Sequence, residues 1–132
     1  MEYLHKDITE QIIKCFYEVY NQLGYGFLEK VYEHAMMIEL KKSGLHARNQ
    51  QPIKVYYKSE LVGDYFADII VQDCIILELK AAEAVVEEHE FQLINYLKAT
   101  NIELGLLLNF GKKPEIRRKI FTNDRKELIE HR

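Results

Sequence analysis

The sequence has few of the residues that mark specialised protein classes. Its 132 residues include two cysteines, two prolines, six glycines and no tryptophan. Cys15 and Cys74 have no cysteine or histidine at the spacing of a zinc site, so two reduced thiols are expected. With 48% hydrophobic and 30% charged residues, the composition excludes disordered, collagen-like and low-complexity chains.

Long apolar runs are also missing. No run approaches the ~20 residues of a membrane-spanning helix, and residues 1–7 lack the apolar segment of a secretory leader. We therefore expect a soluble, cytoplasmic protein that makes no membrane contact. Because domains usually hold about 100–150 residues, we predict a single domain over 1–132.

Several common catalytic motifs are absent from the sequence. There is no phosphate-binding loop pattern, and Gly24-Tyr25-Gly26 lacks both the third glycine and the preceding strand of a dinucleotide site. The two serines, Ser43 and Ser59, do not lie in a nucleophile elbow. Kinase-like, dehydrogenase-like and serine-hydrolase chemistry are therefore not indicated.

The net charge of −3 is unevenly distributed along the chain. Residues 1–110 hold 10 Lys and Arg against 17 Asp and Glu, whereas residues 111–132 hold 8 against 4. The body is thus acidic, and a short basic tail is predicted at about 122–132. This distribution leaves room for an acidic metal site and for a local patch that faces phosphate.

The hydrophobic periodicity predicts helices and strands in mixed order. Helical spacing covers about 8–23, 27–43 and 86–99, and strand patterns cover about 53–58, 61–71, 74–80, 104–108 and 116–121. Because a strand–helix–strand crossover joins parallel neighbours, we expect an α/β fold with a mixed sheet covered by helices.

The same periodicity assigns apolar stripes to two of the helices. In the second helix the stripe consists of Leu28, Val31, Ala35 and Ile38. In the third helix Phe91, Ile94 and Leu97 are predicted to face the core.

A possible reactive centre lies on the third strand, Cys74 to Lys80. Side chains alternate along a strand, so Glu78 and Lys80 share a face with Ile76. Asp68, predicted on one face with Phe66 and Ile70, lies in the preceding strand. A two-residue turn would direct Asp68 and Glu78 to opposite faces, whereas a three-residue loop over 72–74 pairs them, and we predict the longer loop.

Two adjacent carboxylates repel each other unless they are protonated or bridged by a cation. Oxygen ligands alone favour Mg²⁺ or Mn²⁺. Lys80, beside them, could orient the attacking water and stabilise charge in the transition state of phosphate hydrolysis. The alternative is that Glu78 and Lys80 form a structural ion pair on a partly solvated strand.

These residues resemble a known family. Asp68 followed by Glu78-Leu79-Lys80 is similar to the D…(D/E)xK core of the PD-(D/E)XK nuclease superfamily, with Ala67 in place of the proline. Gly26-Phe27-Leu28-Glu29-Lys30-Val31-Tyr32 matches the motif of the GxxExxY branch, and Gln92 with Tyr96 resembles the QxxxY helix motif of the exonuclease-like branch. The resemblance covers about residues 10–120.

The resemblance implies a restriction-endonuclease-like core with a mixed four- to five-stranded sheet flanked by helices. It implies that Asp68, Glu78 and Glu29 bind Mg²⁺ or Mn²⁺ and that Lys80 acts on the water. Gln92 and Tyr96 would contact the scissile phosphate or hold the catalytic groups. Glu29 on its own would be read as an acid favoured by the helix dipole, and Tyr32 and Gly26 as structural.

The function that these observations favour is metal-dependent phosphodiester hydrolysis of nucleic acid, with DNA as the expected substrate. The alternative is a non-catalytic module that binds nucleic acid or protein. A basic stretch could follow a nucleic-acid backbone, or it could keep an edge strand and tail in solution; it consists of Lys112, Lys113, Arg117, Arg118, Lys119, Arg125 and Lys126. The sequence leaves the oligomeric state open.

Overall fold

A five-stranded mixed sheet, in the order β1-β2-β3-β4-β5, forms the centre of the molecule. The structure is a computed structural model that describes residues 4–126. Its elements are α1 (Lys6–Leu23), α2 (Glu29–Lys42), β1 (Ala47–Tyr57), β2 (Glu60–Val71), β3 (Ile75–Lys80), α3 (Glu87–Lys98), β4 (Leu104–Phe110), β5 (Pro114–Ile120) and a final 3₁₀ turn (Asn123–Lys126). The predicted order of helices and strands is confirmed. Residues 127–132 of the predicted basic tail lie outside the described residues.

Neighbouring strands are antiparallel except β3 and β4, which are parallel and joined through α3. This crossover confirms the mixed α/β sheet. Helices α1 and α2 cover one face, on which Ile75, Leu77 and Leu79 of β3 are buried. Helix α3 covers the other face and packs against Ile76. The predicted alternation of β3 is therefore confirmed.

Helix α2 is rotated about its axis relative to the predicted stripe. Leu28 is 81% exposed, and Val31 and Ile38 are also exposed. The buried stripe is displaced by one residue and consists of Tyr32, Met36 and Leu40. Helix α2 has two overlapping apolar stripes, the predicted one and the one with Tyr32, and the stripe with the larger side chains is buried. Burying Tyr32 is possible because its hydroxyl forms hydrogen bonds within the fold.

A similar correction applies to α3. Phe91 is 57% exposed, and the buried residues are Leu93, Tyr96 and Leu97. Ile94 is partly buried, as predicted. The prediction for Phe91 was wrong because the space beside it is not a core layer but a cleft.

Strands β1 and β2 are longer than the pattern predicted. β3 pairs with β2 over Ile69–Val71, so the earlier part of β2 extends past β3 and pairs with β1. We call residues 53–66 the hairpin arm. It carries exposed large side chains at Tyr56, Tyr57, Leu61, Val62, Tyr65 and Phe66. Within residues 4–126, no helix has the length and apolar character needed to cross a membrane.

Candidate active site

The loop between β2 and β3 has the predicted length. Val71 pairs with Ile75, which leaves Gln72, Asp73 and Cys74 as a three-residue connection. Gln72 and Asp73 both have φ of 54°, a left-handed conformation that asparagine, aspartate and a few other residues adopt in tight turns. The register that places Asp68 opposite Glu78 is therefore confirmed.

At Asp68 and Glu78, hydrogen bonds from the backbone to side-chain carboxylates join β2 and β3. The backbone N–H of Asp68 donates to Oε2 of Glu78 at 2.9 Å, and the backbone N–H of Leu79 donates to Oδ2 of Asp68 at 2.7 Å. Each carboxylate thus satisfies a backbone donor of the opposite strand. The two acids are held at one point in the gap between β2 and β3.

The strict alternation of β2 is interrupted at Asp68. Ala67 and Ile70, three residues apart, pack in the same cluster under α3, which a regular strand does not allow. Tyr65 faces the same side, with its ring centroid 5.9 Å from that of Tyr96, whereas Phe66 is exposed. The prediction that Phe66 and Ile70 share one face, with Asp68 between them, is therefore wrong, because the alternation is broken at Asp68.

Both carboxyl groups of the pair have raised pKa values. Burial raises the pKa of Glu78 from 4.5 to about 8, and the charge of Asp68 adds to the effect. Burial is also the main cause that raises the pKa of Asp68, with further contributions from the charges of Glu33 and Glu29. In the absence of a cation, the pair therefore carries less than two negative charges near neutral pH.

This donor set fits a hard divalent cation. The hydrogen bonds above use one oxygen of each carboxylate, Oδ2 of Asp68 and Oε2 of Glu78, and leave the second oxygen of each without a donor among residues 4–126. Mg²⁺ is commonly held by one or two carboxylates, with waters and phosphate completing its shell. In the described part of the chain, no group of three or more His, Cys, Asp or Glu side chains is arranged around a metal position.

Lys80 lies two residues beyond Glu78 on the same strand. Its positive charge opposes the rise in pKa of both Asp68 and Glu78. The ion pairs found among residues 4–126 do not include one between Glu78 and Lys80. The structure of residues 4–126 thus does not contain the alternative, a structural ion pair of Glu78 and Lys80, and the charge of Lys80 acts on both carboxylates without pairing with either.

The segment before α2 is shaped by two residues of the GxxExxY pattern. Gly26 has φ of +112°, which favours glycine because a side chain would be strained there. The hydroxyl of Tyr32 donates to the carbonyl of Gly24 at 2.7 Å and accepts from the N–H of Phe27 at 3.3 Å, while its ring stacks on Phe110. The structural interpretation of Gly26 and Tyr32 is therefore supported.

Glu29 is the first residue of α2 and is exposed. Its charge raises the pKa of both Asp68 and Glu78, so it lies near the carboxylate pair. Its role as a third metal ligand stays a prediction.

Glu33 is a site residue that the sequence reasoning missed. It is 3% exposed, and its two oxygens accept hydrogen bonds from Nδ2 of Asn49 at 3.0 Å and Nε2 of Gln50 at 2.7 Å. Its charge raises the pKa of Asp68. Glu33 lies one helical turn after Glu29 and so shares its side of the helix, but nothing in the local sequence marks it as buried.

Helix α3 brings Tyr96 to the opposite side of the pair. Tyr96 is buried, and its pKa is raised to about 12 by burial and then by the charges of Glu78 and Asp68. Gln92, one turn earlier, lines a cleft of about 620 Å³ together with Tyr96. Among the predicted site residues the structure joins Asp68 and Glu78 directly, and Glu29, Lys80 and Tyr96 interact electrostatically with this pair. A contact of Gln92 with phosphate stays a prediction.

Part of the basic stretch is engaged within the fold. Lys126 is buried and donates to the carbonyls of Thr100 and Ile102. Lys119 pairs with Glu90 and Arg117 with Glu115, and the guanidinium of Arg125 lies over the ring of Phe121. These contacts favour a structural role for much of the stretch.

Comparison with known proteins gives a family and a fold. The chain matches the family description "PD-(D/E)XK nuclease superfamily" over residues 6–119. Among solved structures it is similar to the crystal structure of SSO0001, with a TM-score of 0.59 and 16% identity over 78% of this chain. The match spans 55% of the length of SSO0001. A search of curated proteins finds no match.

The family match covers most of the chain, and the solved structure supports the fold. Five mixed strands flanked by three helices are consistent with a restriction-endonuclease-like architecture. Asp68 and Glu78, the two acids of the D…ExK pattern, are in contact across β2 and β3. The chain belongs to the PD-(D/E)XK nuclease superfamily.

Proposed function

We propose that this protein is a metal-dependent phosphodiester hydrolase that acts on nucleic acid, with DNA as the expected substrate and the cytoplasm as its location. The observation that carries the proposal is the junction of Asp68 and Glu78, where each acid accepts a backbone hydrogen bond from the opposite strand and keeps one free oxygen. The intact GxxExxY motif supports an assignment to that branch of the superfamily.

In this proposal Asp68 and Glu78 hold Mg²⁺ or Mn²⁺, and Glu29 completes the acidic set. The chemistry that such an ion supplies when bound is polarisation of the phosphate and a lower pKa for a coordinated water. Lys80 orients or deprotonates the attacking water and stabilises negative charge as it develops. Tyr96 and Gln92, one turn apart on α3, position the phosphate group.

The alternative is a non-catalytic module on the same fold that binds nucleic acid or protein. Both functions use the same surface, so binding alone does not separate them. Substitution of Lys80 distinguishes the hydrolase from the binding module, because it lowers a cleavage rate only if the protein is catalytic.

The test is cleavage of single- and double-stranded DNA and RNA with Mg²⁺ or Mn²⁺, by wild type and by Lys80→Ala. Losing one positioned charge or general acid/base group costs about 10²–10⁴-fold in rate. Lys14→Ala is the matched control, because Lys14 is exposed on α1, on the far side of the core. Rates are compared per folded molecule, with Mn²⁺ binding measured in parallel.

Loss of cleavage in Lys80→Ala with retained Mn²⁺ binding supports the enzyme. Equal cleavage by wild type and Lys80→Ala assigns the activity to a contaminant or another site. A wild type without detectable cleavage on all four substrates favours the module.

A further inference from the structure

A cleft of about 620 Å³ lies between the hairpin arm and α3. The hairpin arm contributes Val55, Val62 and Tyr65, and α3 contributes Phe91, Gln92 and Lys98. Its size is within the usual range of small-ligand sites, roughly 300–1,000 Å³. One end of the cleft is closed by Tyr96, the residue that also lies beside the carboxylate pair.

The walls of the cleft present aromatic side chains that the fold leaves uncovered. Tyr65 is 49% exposed and Phe91 57% exposed, although both are large apolar residues. They come from different elements, β2 and α3, so an occupant of the cleft meets an aromatic side chain on each side. A flat apolar molecule would cover both.

The α3 side of the cleft carries two polar amide side chains. Gln92 and Asn95 both line it, and among residues 4–126 neither amide side chain has a hydrogen-bond partner. Each amide offers donors and an acceptor. A group that suits this lining has apolar faces and polar edges, which is the chemistry of a nucleobase.

Tyr96 lines the cleft, and the charges of Glu78 and Asp68 act on its hydroxyl, so the cleft and the candidate active site share this residue. A base held in the cleft would place the adjoining phosphate near the carboxylate pair. Lys98 lines the cleft together with the acidic Glu88, and its ammonium lies 5.4 Å from the centre of the Phe121 ring, whereas the charge of Lys80 acts on the carboxylates. A base within a duplex has its faces and edges occupied by neighbouring bases, and only an unpaired base offers them to protein.

We infer that this cleft binds an unpaired base of single-stranded nucleic acid, by stacking on Tyr65 and Phe91 and hydrogen bonding to Asn95, while Gln92 is left for the adjoining phosphate. The inference deepens the proposed function and rests on it for the role of the neighbouring phosphate. The binding of the base itself does not require cleavage.

The experiment is fluorescence anisotropy with labelled oligonucleotides in EDTA, which prevents cleavage. The probes are single-stranded DNA, single-stranded RNA, duplex DNA and a single strand with abasic sites, all at one salt concentration. The variants are Phe91→Ala and Tyr65→Leu. Tyr56→Leu is the matched control, because Tyr56 lies on the same hairpin arm, is 48% exposed, and does not line the cleft.

Base–aromatic stacking is worth about 1–3 kcal/mol per base, so each cleft variant should weaken single-strand binding by about 5- to 150-fold. Tyr56→Leu should stay within about twofold of wild type. Wild type should prefer the single strand to the duplex and to the abasic strand. The tighter of the DNA and RNA strands identifies the source of the base.

Unchanged binding in both cleft variants overturns the inference, as does equal affinity for the abasic strand or a preference for duplex. If Phe91→Ala does not fold, its melting curve shows this, and the test then rests on whether Tyr65→Leu weakens binding of the single strand. Wild-type cleavage, measured separately with Mn²⁺, keeps the two proposals apart. If wild type cleaves nucleic acid but the cleft variants bind as wild type does, base binding in the cleft is refuted and the nuclease proposal stands. If the cleft variants bind more weakly but wild type does not cleave, the nuclease proposal is refuted and base binding stands.

Discussion

The carboxylate of Glu33 accepts a 2.7 Å hydrogen bond from the side-chain amide of Gln50, whose backbone has φ of +50°. Asn49 pairs with Ile69 and Gln51 with Ala67, so Gln50 lies across from Asp68. The buried acid of α2 therefore holds β1 at the point where β2 departs from regular alternation. This contact links the helix to the position of a candidate metal ligand.

We predict that Glu33→Gln lowers the free energy of unfolding by about 1–3 kcal/mol. The introduced amide group would face one of the two amide donors from Asn49 and Gln50, which leaves a buried donor unsatisfied. Urea unfolding at neutral pH measures the change. Glu39→Gln on the same helix is the control and should stay within about 0.5 kcal/mol; equal effects of the two variants would contradict the prediction.

The stability of the metal-free protein should fall as the pH rises. The pKa of Glu78 is raised from 4.5 in the unfolded chain to about 8 in the fold, so the folded state binds the proton more tightly. Its contribution is fully present below about pH 4.5 and is lost as the pH passes through about 8. Urea unfolding in EDTA across this range measures it.

Glu78→Gln is the control for this pH dependence. Its side-chain carbonyl can still accept from the N–H of Asp68 but does not titrate. The variant should lose less stability than wild type between pH 5 and pH 8.5. Identical pH profiles for wild type and Glu78→Gln would show that other groups cause the effect.

Mg²⁺ or Mn²⁺ should raise the melting temperature of wild type and leave that of Asp68→Asn unchanged. A ligand that binds only the folded state stabilises it by about 2.7 kcal/mol at one hundred times its Kd. The carbonyl of the introduced amide can still accept from the N–H of Leu79, and the loss of one charge relieves the repulsion with Glu78. The metal-free variant should therefore be at least as stable as wild type. Calorimetric scans with and without Mn²⁺ measure the melting temperatures. Equal shifts of the melting temperature in wild type and Asp68→Asn would refute the role of Asp68 as a metal ligand.

Tyr32→Phe should lower the free energy of unfolding by about 1–3 kcal/mol. The substitution keeps the stacking on Phe110 but removes the hydroxyl that joins Gly24 to Phe27, so two part-buried backbone groups lose their side-chain partner. Tyr57→Phe is the control, since Tyr57 is exposed. A Tyr32→Phe protein as stable as its control would show that the hydroxyl does not hold the segment.

Much of the fold was predictable because its signals are local. The order of elements and the parallel crossover follow from periodicity and loop length. The register of β2 with β3 does not, because two loop lengths fit the sequence, and the longer one was predicted because it pairs the two acids. The positions of Asp68, Glu78 and Lys80 followed from that register. The buried face of α2 did not follow from the sequence, because this helix offers two overlapping apolar stripes and only tertiary packing selects between them. The face of α3 was predicted in part, since Ile94 and Leu97 pack in the core and Phe91 does not.

Two features of the site were beyond this reasoning. The turn of β2 at Asp68 depends on hydrogen bonds to Leu79 and Glu78 on another strand, which no local pattern encodes. The burial of Glu33 depends on amides of β1 that are distant in sequence. Charged residues are rarely buried, so a propensity argument assigns Glu33 to the surface.

The three-residue loop between β2 and β3 makes the chain unequally tolerant of changes in length. Adding or removing one residue at Gln72–Cys74 would shift β3 by one position against β2 and turn Glu78 and Lys80 toward α1 and α2. At the tip of the hairpin arm, Lys58 and Ser59 form the turn that joins Tyr57 to Glu60. An insertion at this turn does not change the register of β2 with β3, so Glu78 and Lys80 keep their positions. The tip of the hairpin arm should therefore accept a peptide tag or reporter, whereas the loop between β2 and β3 keeps the site intact only at a length of three residues.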